Sequence, residues 1–585
     1  MSKKFLRLLA LTLLTLSLVF LFASCSDNAG DVDNTEVSDE SAAVDEQENV
    51  GEGFSIFSNG AYNVRVIMPE GASSLEKEIY DQIRNKLRDI TGIMPERMTD
   101  FKAYNDDGEA RKQPAILVGN TNYDESKEVY GTLRYAESKM KTVGNKLVFA
   151  FSSDVDAQSV FVAFVAYLRN VNKENVVLKA DIDYSKVSNE FLASIPKYAE
   201  DGYDLIDLDR ESYMIHAKDA SVDDMRAYCD VLAGQGFNKI STREQSGNVF
   251  ETFVSENKYA YAYYRAFDSS VRVIIGTKNS LAESSYDSGL EETYTPYIAS
   301  IPQPSDGLGY IIRLPDGRFI ILDGGYTGDD RVYNTLRELE EGNITIAAWF
   351  ISHPHGDHYP ALVDFVKEHG NDEGIVVERV MLNYAHHDMY NINGSAGVDN
   401  SGESVKELYA ALQQYIPNIP VIKVHTGQSF SFGTSSVEIL YTMEDLIPQK
   451  ITNINDSSMV IRVNVGEQSI MLLADTCYAS GPILNNTWGE YLKSDIMQIA
   501  HHGCWPSVKE IYESIQAEVV LFPALMRNFK NYVVDERWAE VMNTALGYAK
   551  DIYVSGDALE IIELPYTVKN NKEEVLEYAK NYSGN

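Results

Sequence analysis

The stretch Ser352-His353-Pro354-His355-Gly356-Asp357-His358 packs four side chains able to ligate a metal into six residues, His353 to His358. It follows an apolar run, Ile344 to Ile351, that reads as a buried strand. It precedes Ala361 to His369, a short helical pattern closed by Gly370. A strand-to-helix turn of this kind projects several side chains into one small volume. His353 and His355 can grip one cation, while Asp357 and His358 face a second position beside it. Imidazole and carboxylate donors suit zinc first, with manganese or iron able to use the same set. The bland alternative is a histidine-rich surface loop, which a lone H-x-H would merit. H-x-H-x-D-H after a strand is far more specific.

Two later segments extend the constellation. Ser469 to Ala474 is an apolar strand that delivers Asp475 at its C-terminal end, and Asp495 to Ala500 delivers His501-His502-Gly503. Asp475 is the natural bridge, since one carboxylate can offer an oxygen to each of two ions. Alone, Asp475 would read as a turn cap and His501 as a surface histidine; beside the first motif both read as ligands.

These residues resemble a known family. HPHGDH, the DGG at Asp323 to Gly325, the LLAD around Asp475 and the AHHG around His501 look like the metallo-β-lactamase fold. The run Asn455 to Ile461, followed by LLAD and HHG, is most similar to the branch holding hydrolase domains of DNA-uptake competence proteins and phosphorylcholine esterases of bacterial surfaces. The resemblance covers about Thr295 to Leu564. It implies an αββα sandwich with a dinuclear site at one edge of the sheets. Matched position by position, it implies His353 and His355 on the first metal, Asp357, His358 and His501 on the second, and Asp475 between them. Many relatives carry a further histidine after the strand read here as Val437 to Leu440, where this chain has Tyr441-Thr442-Met443-Glu444. The first metal is then three-coordinate from protein, or completed by Glu444 or Asp456. His386 and His387 suit substrate contact better than ligation.

The chemistry expected of two divalent ions, zinc first, is hydrolysis by an acidified water. No G-x-S-x-G elbow and no P-loop G-x-x-x-x-G-K-[ST] occurs, which removes two rival chemistries. Asp357 and His502 are the candidate catalytic side chains. His502 can hydrogen-bond substrate or protonate a leaving group, or else be a structural histidine behind the metals. Asp323, at the end of Arg318 to Leu322, can hold a ligand histidine or cap a turn.

The N-terminus reads as an address. Lys3, Lys4 and Arg7 precede an apolar run, Leu8 to Ser24, that ends at Phe22-Ala23-Ser24-Cys25. This has the form of a signal peptide with a lipoprotein lipobox, Cys25 becoming the lipidated first residue. A retained membrane helix is the alternative, but the run is short for it. Ser26 to Glu52 holds ten acids and no Lys or Arg, the composition of a self-repelling tether. An extracytoplasmic, lipid-anchored protein is expected.

The net charge of −37 argues against nucleic acid as a partner, because phosphate binding calls for a basic face. With Cys25 allocated, Cys229, Cys477 and Cys504 remain, which is not a disulfide scaffold. Cys477 and Cys504 are expected to be small packing residues near the metals rather than a pair.

The expected fold class is α/β with α+β character: residues 1–25 a signal peptide and lipobox, 26–52 a tether, 53–186 a small α/β accessory domain, 187–294 a mixed α+β domain, 295–570 the αββα hydrolase domain and 571–585 a tail. In the first accessory unit, Leu75, Ile79, Ile83, Leu87 and Ile90 mark one helix face. Its phrase Ile116 to Thr121 looks like the small α/β domain preceding catalytic domains in some glycoside hydrolases. In the second unit, Tyr259, Tyr261 and Tyr263 share one strand face, read as a half-buried aromatic face in preference to a sugar- or cation-stacking one. The leading function is a surface-anchored metallohydrolase for a small or cell-envelope phosphoester or phosphodiester. Its alternatives are cleavage of a lactam, lactone or thioester by the same site, and a binding lipoprotein with a vestigial metal site.

Overall fold

Strand Phe319–Asp323 shows how the C-terminal half is built. Phe319 and Ile321 join the core that includes Leu336, Leu362 and Phe365 of the flanking helices, while Ile320 and Leu322 join the core shared with a second sheet. The period of two along a strand gives one sheet two apolar faces, and both are buried. The computed structural model describes residues 53–101, 109–199, 202–394 and 397–583. The signal peptide, Cys25 and the tether lie outside the described residues. Among the described residues no helix is long and apolar enough to cross a membrane.

The first sheet of this half runs Val421–Lys423, Val380–Leu382, Ile344–Phe350, Phe319–Asp323, Gly309–Arg313, Tyr297–Ser300, Ile561–Glu563, with Ile375–Val377 also paired to Ile344–Phe350. The second runs Ser429–Phe432, Ser435–Tyr441, Val460–Val465, Gln468–Leu472, Ile496–Gln498, Val519–Phe522, Asp551–Val554. Their facing sides interdigitate through residues such as Leu322, Phe350, Ile461 and Leu472. Helices cover the outer faces, Arg331–Leu339 and Pro360–His369 on one side and Ser480–Trp488 and Lys509–Ile515 on the other, giving an αββα sandwich.

Strand direction then places the motifs. Phe319–Asp323 is parallel to Ile344–Phe350, and Gln468–Leu472 is parallel to Ile496–Gln498. Parallel neighbours end on the same edge, so Asp323, the 353–358 turn, Asp475 and the His501-His502 pair all leave their strands at one rim. Residues 572–581 are not a loose tail: Lys572–Asn581 is a helix that buries Ala579.

The first accessory unit is a six-stranded sheet, Met98–Thr99, Arg65–Met68, Ala115–Val118, Lys146–Phe151, Glu137–Val143, Asp183–Val187, carrying helices Ser74–Thr91, Asp124–Gly131 and Asp154–Tyr167. Ser73 and Glu76 close a capping box on Ser74–Thr91, and Gly92 ends it in the left-handed region. The second unit is a six-stranded antiparallel sheet, with Val222–Gly234 packed on one face through Met225, Cys229 and Leu232. Its other face lies against the sandwich. Tyr259, Tyr261 and Tyr263 are 0%, 2% and 1% exposed, so they are an internal seam and not the half-buried face expected. Their hydroxyls bond His425 Nε2 at 2.8 Å, the Thr426 carbonyl at 2.8 Å and Asp445 Oδ1 at 3.0 Å.

Asp445 also accepts from Arg265 Nη1 at 3.1 Å, both groups being almost fully buried. Arg265 keeps Asp268 at 2.6 Å as a second, partly exposed counter-charge, so Asp445→Ala is expected to cost less than the about 3–5 kcal/mol typical of a buried charge left unpaired. Urea denaturation and limited proteolysis are expected to show that loss, with cleavage appearing first in 203–277.

Candidate metal centre

Asp323 organises the rim. Its Oδ1 accepts the Ser352 backbone N–H at 2.7 Å. Its Oδ2 accepts the Ser352 hydroxyl at 2.7 Å and His358 Nδ1–H at 2.8 Å. The Trp349 indole donates to the Asp323 carbonyl, and the N–H groups of Gly324 and Gly325 donate to the His358 carbonyl. With Nδ1 committed, His358 presents Nε2 inward. A carboxylate behind a histidine is the usual way a metal-facing tautomer is fixed.

At this rim, among the described residues, two groups of potential ligands form, each with ligand atoms within 4.8 Å of one another. The first is His353, His355 and Asp475; the second is Asp357, His358, Asp475 and His502. Asp475 is common to both. In the second, His358 Nε2 lies 3.3 Å from Asp475 Oδ2. His502 Nε2 lies 3.2 Å from Asp357 Oδ2 and 3.5 Å from Asp475 Oδ1. In the first, His353 Nε2 is 3.0 Å from His355 Nδ1 and 3.9 Å from Asp475 Oδ2.

Of the two adjacent histidines, His502 rather than His501 joins a ligand group. His502 belongs to the second group; His501 belongs to neither. His502 Nδ1 donates to the Pro523 carbonyl at 3.0 Å, which leaves Nε2 for the cluster. His501 Nε2 instead meets Asn455 Nδ2 at 3.2 Å, with Asp475 Oδ2 at 3.6 Å. Both residues sit in the left-handed region, at φ 49° and 56°. Two consecutive residues there swing their side chains out of the alternation that a strand extension would give. Gly503 at φ 86° completes the turn, and a Cβ there would approach Phe522 to 2.8 Å.

Electrostatics and burial test whether cations suit these residues. Among the described residues, His358 Nε2, His502 Nε2 and Asp475 Oδ1 are buried without a hydrogen-bond partner, and all three face the second group. Buried polar atoms are rarely left unpaired, and three converging on one point fit a metal ion. Burial opposes charge on His358, but Asp475, Asp357 and Asp323 outweigh it and hold its pKa up to about 10. Burial likewise opposes charge on His502, and Asp475 and Asp357 push it well above the ordinary range. Burial would raise both carboxylates, yet His358 and His502 hold Asp357 and Asp475 well below the usual range. Burial, with His358 and His355, drives His353 far down, which keeps it a neutral donor. The site thus demands positive charge, which protons on His358 and His502 or divalent ions can supply. The residues fit a pair of divalent ions.

Other expectations fall elsewhere. Glu444 does not reach the first group: its carboxylate accepts from buried His425 Nδ1 at 2.9 Å. Asp456 Oδ1 is taken by the N–H groups of Ala479 and Ser480 and the Ser480 hydroxyl, each at 2.9 Å, as a cap on Ser480–Trp488. The first group therefore keeps three protein ligands. His386, His387 and Asp388 cluster only with one another. Tyr384 and Tyr390 are 1% and 0% exposed and cannot face a substrate, whereas Tyr478 and Trp505 are 42% and 44% exposed. Cys477 and Cys504 are free thiols; burial pushes Cys477 up to about 12, an unreactive packing residue. Sequence reading passed over Tyr326 and Asn455. Tyr326, directly after the DGG, is raised by burial and by Asp357, and its place beside the motif was the signal.

Residues 303–442 match the family model of the metallo-beta-lactamase superfamily. This stretch is similar to metallo-beta-lactamase superfamily domains. The match contains Asp323 and the 353–358 motif; Asp475 and His502 lie beyond its end and join the site through the fold. Among solved structures, the chain is similar to a mutant of the CmlA beta-hydroxylase at 15% identity, covering 47% of this chain and 55% of that one, with a TM-score of 0.30. It is also similar to a mutant flavo di-iron protein from Thermotoga maritima at 14% identity, covering 46% and 51%, with a TM-score of 0.20. The chain thus spans about half the length of these solved proteins. No curated protein matches it.

Which of the two histidines ligates has a direct test in metal content. His502→Ala is expected to lower bound divalent metal from two ions per chain toward one, while His501→Ala keeps both, by plasma mass spectrometry after dialysis. Equal loss in both variants would restore His501 as a ligand.

Proposed function

We propose that this chain is a dinuclear metal-dependent hydrolase of small or zwitterionic phosphodiesters. The observation that carries the reading is Asp475, one buried carboxylate common to two ligand groups, whose Oδ1 faces the Nε2 atoms of His358 and His502, all three buried without a hydrogen-bond partner. Divalent ions held there would supply Lewis acidity and a nucleophilic water at neutral pH. The chain's own part is positional. Asp323 and the Pro523 carbonyl hold His358 and His502 with Nε2 inward, and Asp475 spaces the two groups. His502 is read here as a ligand in place of the acid–base role suggested by its sequence position.

Charge supports the substrate class. Two divalent ions bring more positive charge than Asp357 and Asp475 return, so a single phosphodiester is attracted at short range. The chain as a whole carries −37, and beyond a Debye length of about 8 Å a polyanion meets repulsion. Tyr478 and Trp505, on the segments that follow Asp475 and His502, form an aromatic cluster with Trp538, which precedes helix Ala539–Tyr548, with ring centroids 5.3–6.4 Å apart. Such rings suit the cationic end of a zwitterion.

Turnover of bis-p-nitrophenyl phosphate, abolished with loss of both metals in Asp475→Ala, is the expected result. Phosphocholine or phosphoethanolamine diesters are expected to turn over faster than DNA at equal phosphate concentration. Faster cleavage of nitrocefin would favour the lactam reading, DNA preference at low salt would overturn the charge argument, and absence of bound metal would favour a binding protein.

We also propose a lipid anchor at Cys25 that places this hydrolase outside the cytoplasm, a reading that rests on the lipobox alone. Cys25→Ser is expected to abolish labelling by a palmitate analogue and to release the protein from membranes; membrane retention in that variant would mean that the 8–24 segment stays as a helix.

A further inference from the structure

Away from the metal centre, helices Met526–Tyr532, Ala539–Tyr548 and Lys572–Asn581 enclose a pocket of about 260 Å³. Its floor is apolar, built on Val533, Leu546 and Leu576, and its rim carries Lys530, Lys572 and Lys580. None of its lining residues is acidic. That is unusual in a chain with 87 acids against 50 bases. Lys530 Nζ donates to the Tyr582 carbonyl at 3.1 Å, and Lys572 Nζ to the Leu546 carbonyl at 2.6 Å. Among the described residues, no carboxylate lies within ion-pair distance of either. Each ammonium has three donors, so both retain some for a ligand. Lys580 is 3.6 Å from Glu577, but both side chains are about two-thirds exposed, and such a pair is readily exchanged for another anion.

These features select a ligand by chemistry. An apolar floor favours a hydrocarbon chain by the hydrophobic effect. Two ammoniums bonded to carbonyls, with Lys530 also 5.7 Å from the Tyr582 ring centroid and neither paired to a carboxylate among the described residues, favour an anionic head and disfavour a cationic one. The volume falls just below the range of about 300–1,000 Å³ for drug-sized ligands, which limits the occupant to one short chain. We propose that this pocket binds a single-chain amphiphile with an anionic head, a carboxylate or a phosphate monoester. The site is separate from the metal centre, and its occupancy does not depend on the hydrolase reading.

Gly547 allows a clean test. It lies in helix Ala539–Tyr548 and lines the pocket, and a Cβ there meets no atom within 4 Å. A side chain at 547 therefore starts in open space at the pocket wall, and Gly547→Phe is expected to obstruct the pocket. Calorimetric titration of the full chain with decanoate and decyl phosphate is expected to show saturable one-site binding. Decanol and decyltrimethylammonium are expected to bind at least tenfold more weakly. Gly547→Phe is expected to abolish binding, and Lys530→Gln with Lys572→Gln to weaken it tenfold or more, with thermal melting unchanged in each variant. Binding that survives Gly547→Phe, or equal binding of the cationic amphiphile, would overturn the proposal. So would absence of saturable binding by decanoate and decyl phosphate alike. Binding to phosphatidylglycerol vesicles with no response to the monomeric probes would overturn it too, and would assign the lysines to a membrane surface instead.

Discussion

The site depends on one buried carboxylate that touches no reacting group. Asp323 is fully buried, and its two oxygens take three donors: the Ser352 N–H, the Ser352 hydroxyl and His358 Nδ1–H. These bonds tie the end of strand Phe319–Asp323 to the turn after Ile344–Phe350. They also decide which nitrogen of His358 faces Asp475. Hydrogen bonds to a carboxylate are stronger than neutral ones, and in a buried setting they fix orientation as well as adding stability. Asp323 itself sits at φ 54°, a conformation costing on the order of 1–3 kcal/mol in a residue other than glycine. That strain is offset by the bonds the conformation makes possible.

The rim shows the same economy elsewhere. Ala474, His501 and His502 are also left-handed, at φ 47°, 49° and 56°, all immediately beyond strand ends. Each strand arrives with side chains alternating between two apolar cores, a geometry with no place for converging ligands. Departure from the β region just past the last ladder bond turns carboxylates and imidazoles toward one point. The fold supplies parallel strand ends, and the strained turns supply convergence.

The middle unit contributes to this frame by packing. Its tyrosine face closes against the sandwich, bonded to His425, Thr426 and Asp445, and His425 in turn bonds Glu444. A side-chain network that crosses the seam fixes how the two units meet. Arg243 adds a bond to Glu438 and to the Gly427 carbonyl from the edge of the same sheet. The acids near the strand that could have completed the first ligand group are consumed by these structural tasks.

Much of this was legible in the sequence, for local reasons. The apolar runs of strand length, the glycine after the 361–369 helix and the spacing of His353, His355, Asp357 and His358 are properties of neighbouring residues, and strand and helix periods translate them directly into structure. Asp475 was legible because it follows an apolar strand by a few residues. What stayed hidden depends on long-range placement or on a backbone angle. Nothing in the adjacent pair His501-His502 says which imidazole turns inward, because that is decided by two left-handed residues and by the Pro523 carbonyl, twenty-one residues on in sequence. Alternation identified a tyrosine face but could not show what covers it, since the sandwich surface is assembled from segments well over a hundred residues away. The sequence by itself determined which residues could bind metal and which strands carry them; only tertiary structure decided which of them meet, because convergence requires parallel strand ends and strained turns that no local pattern encodes.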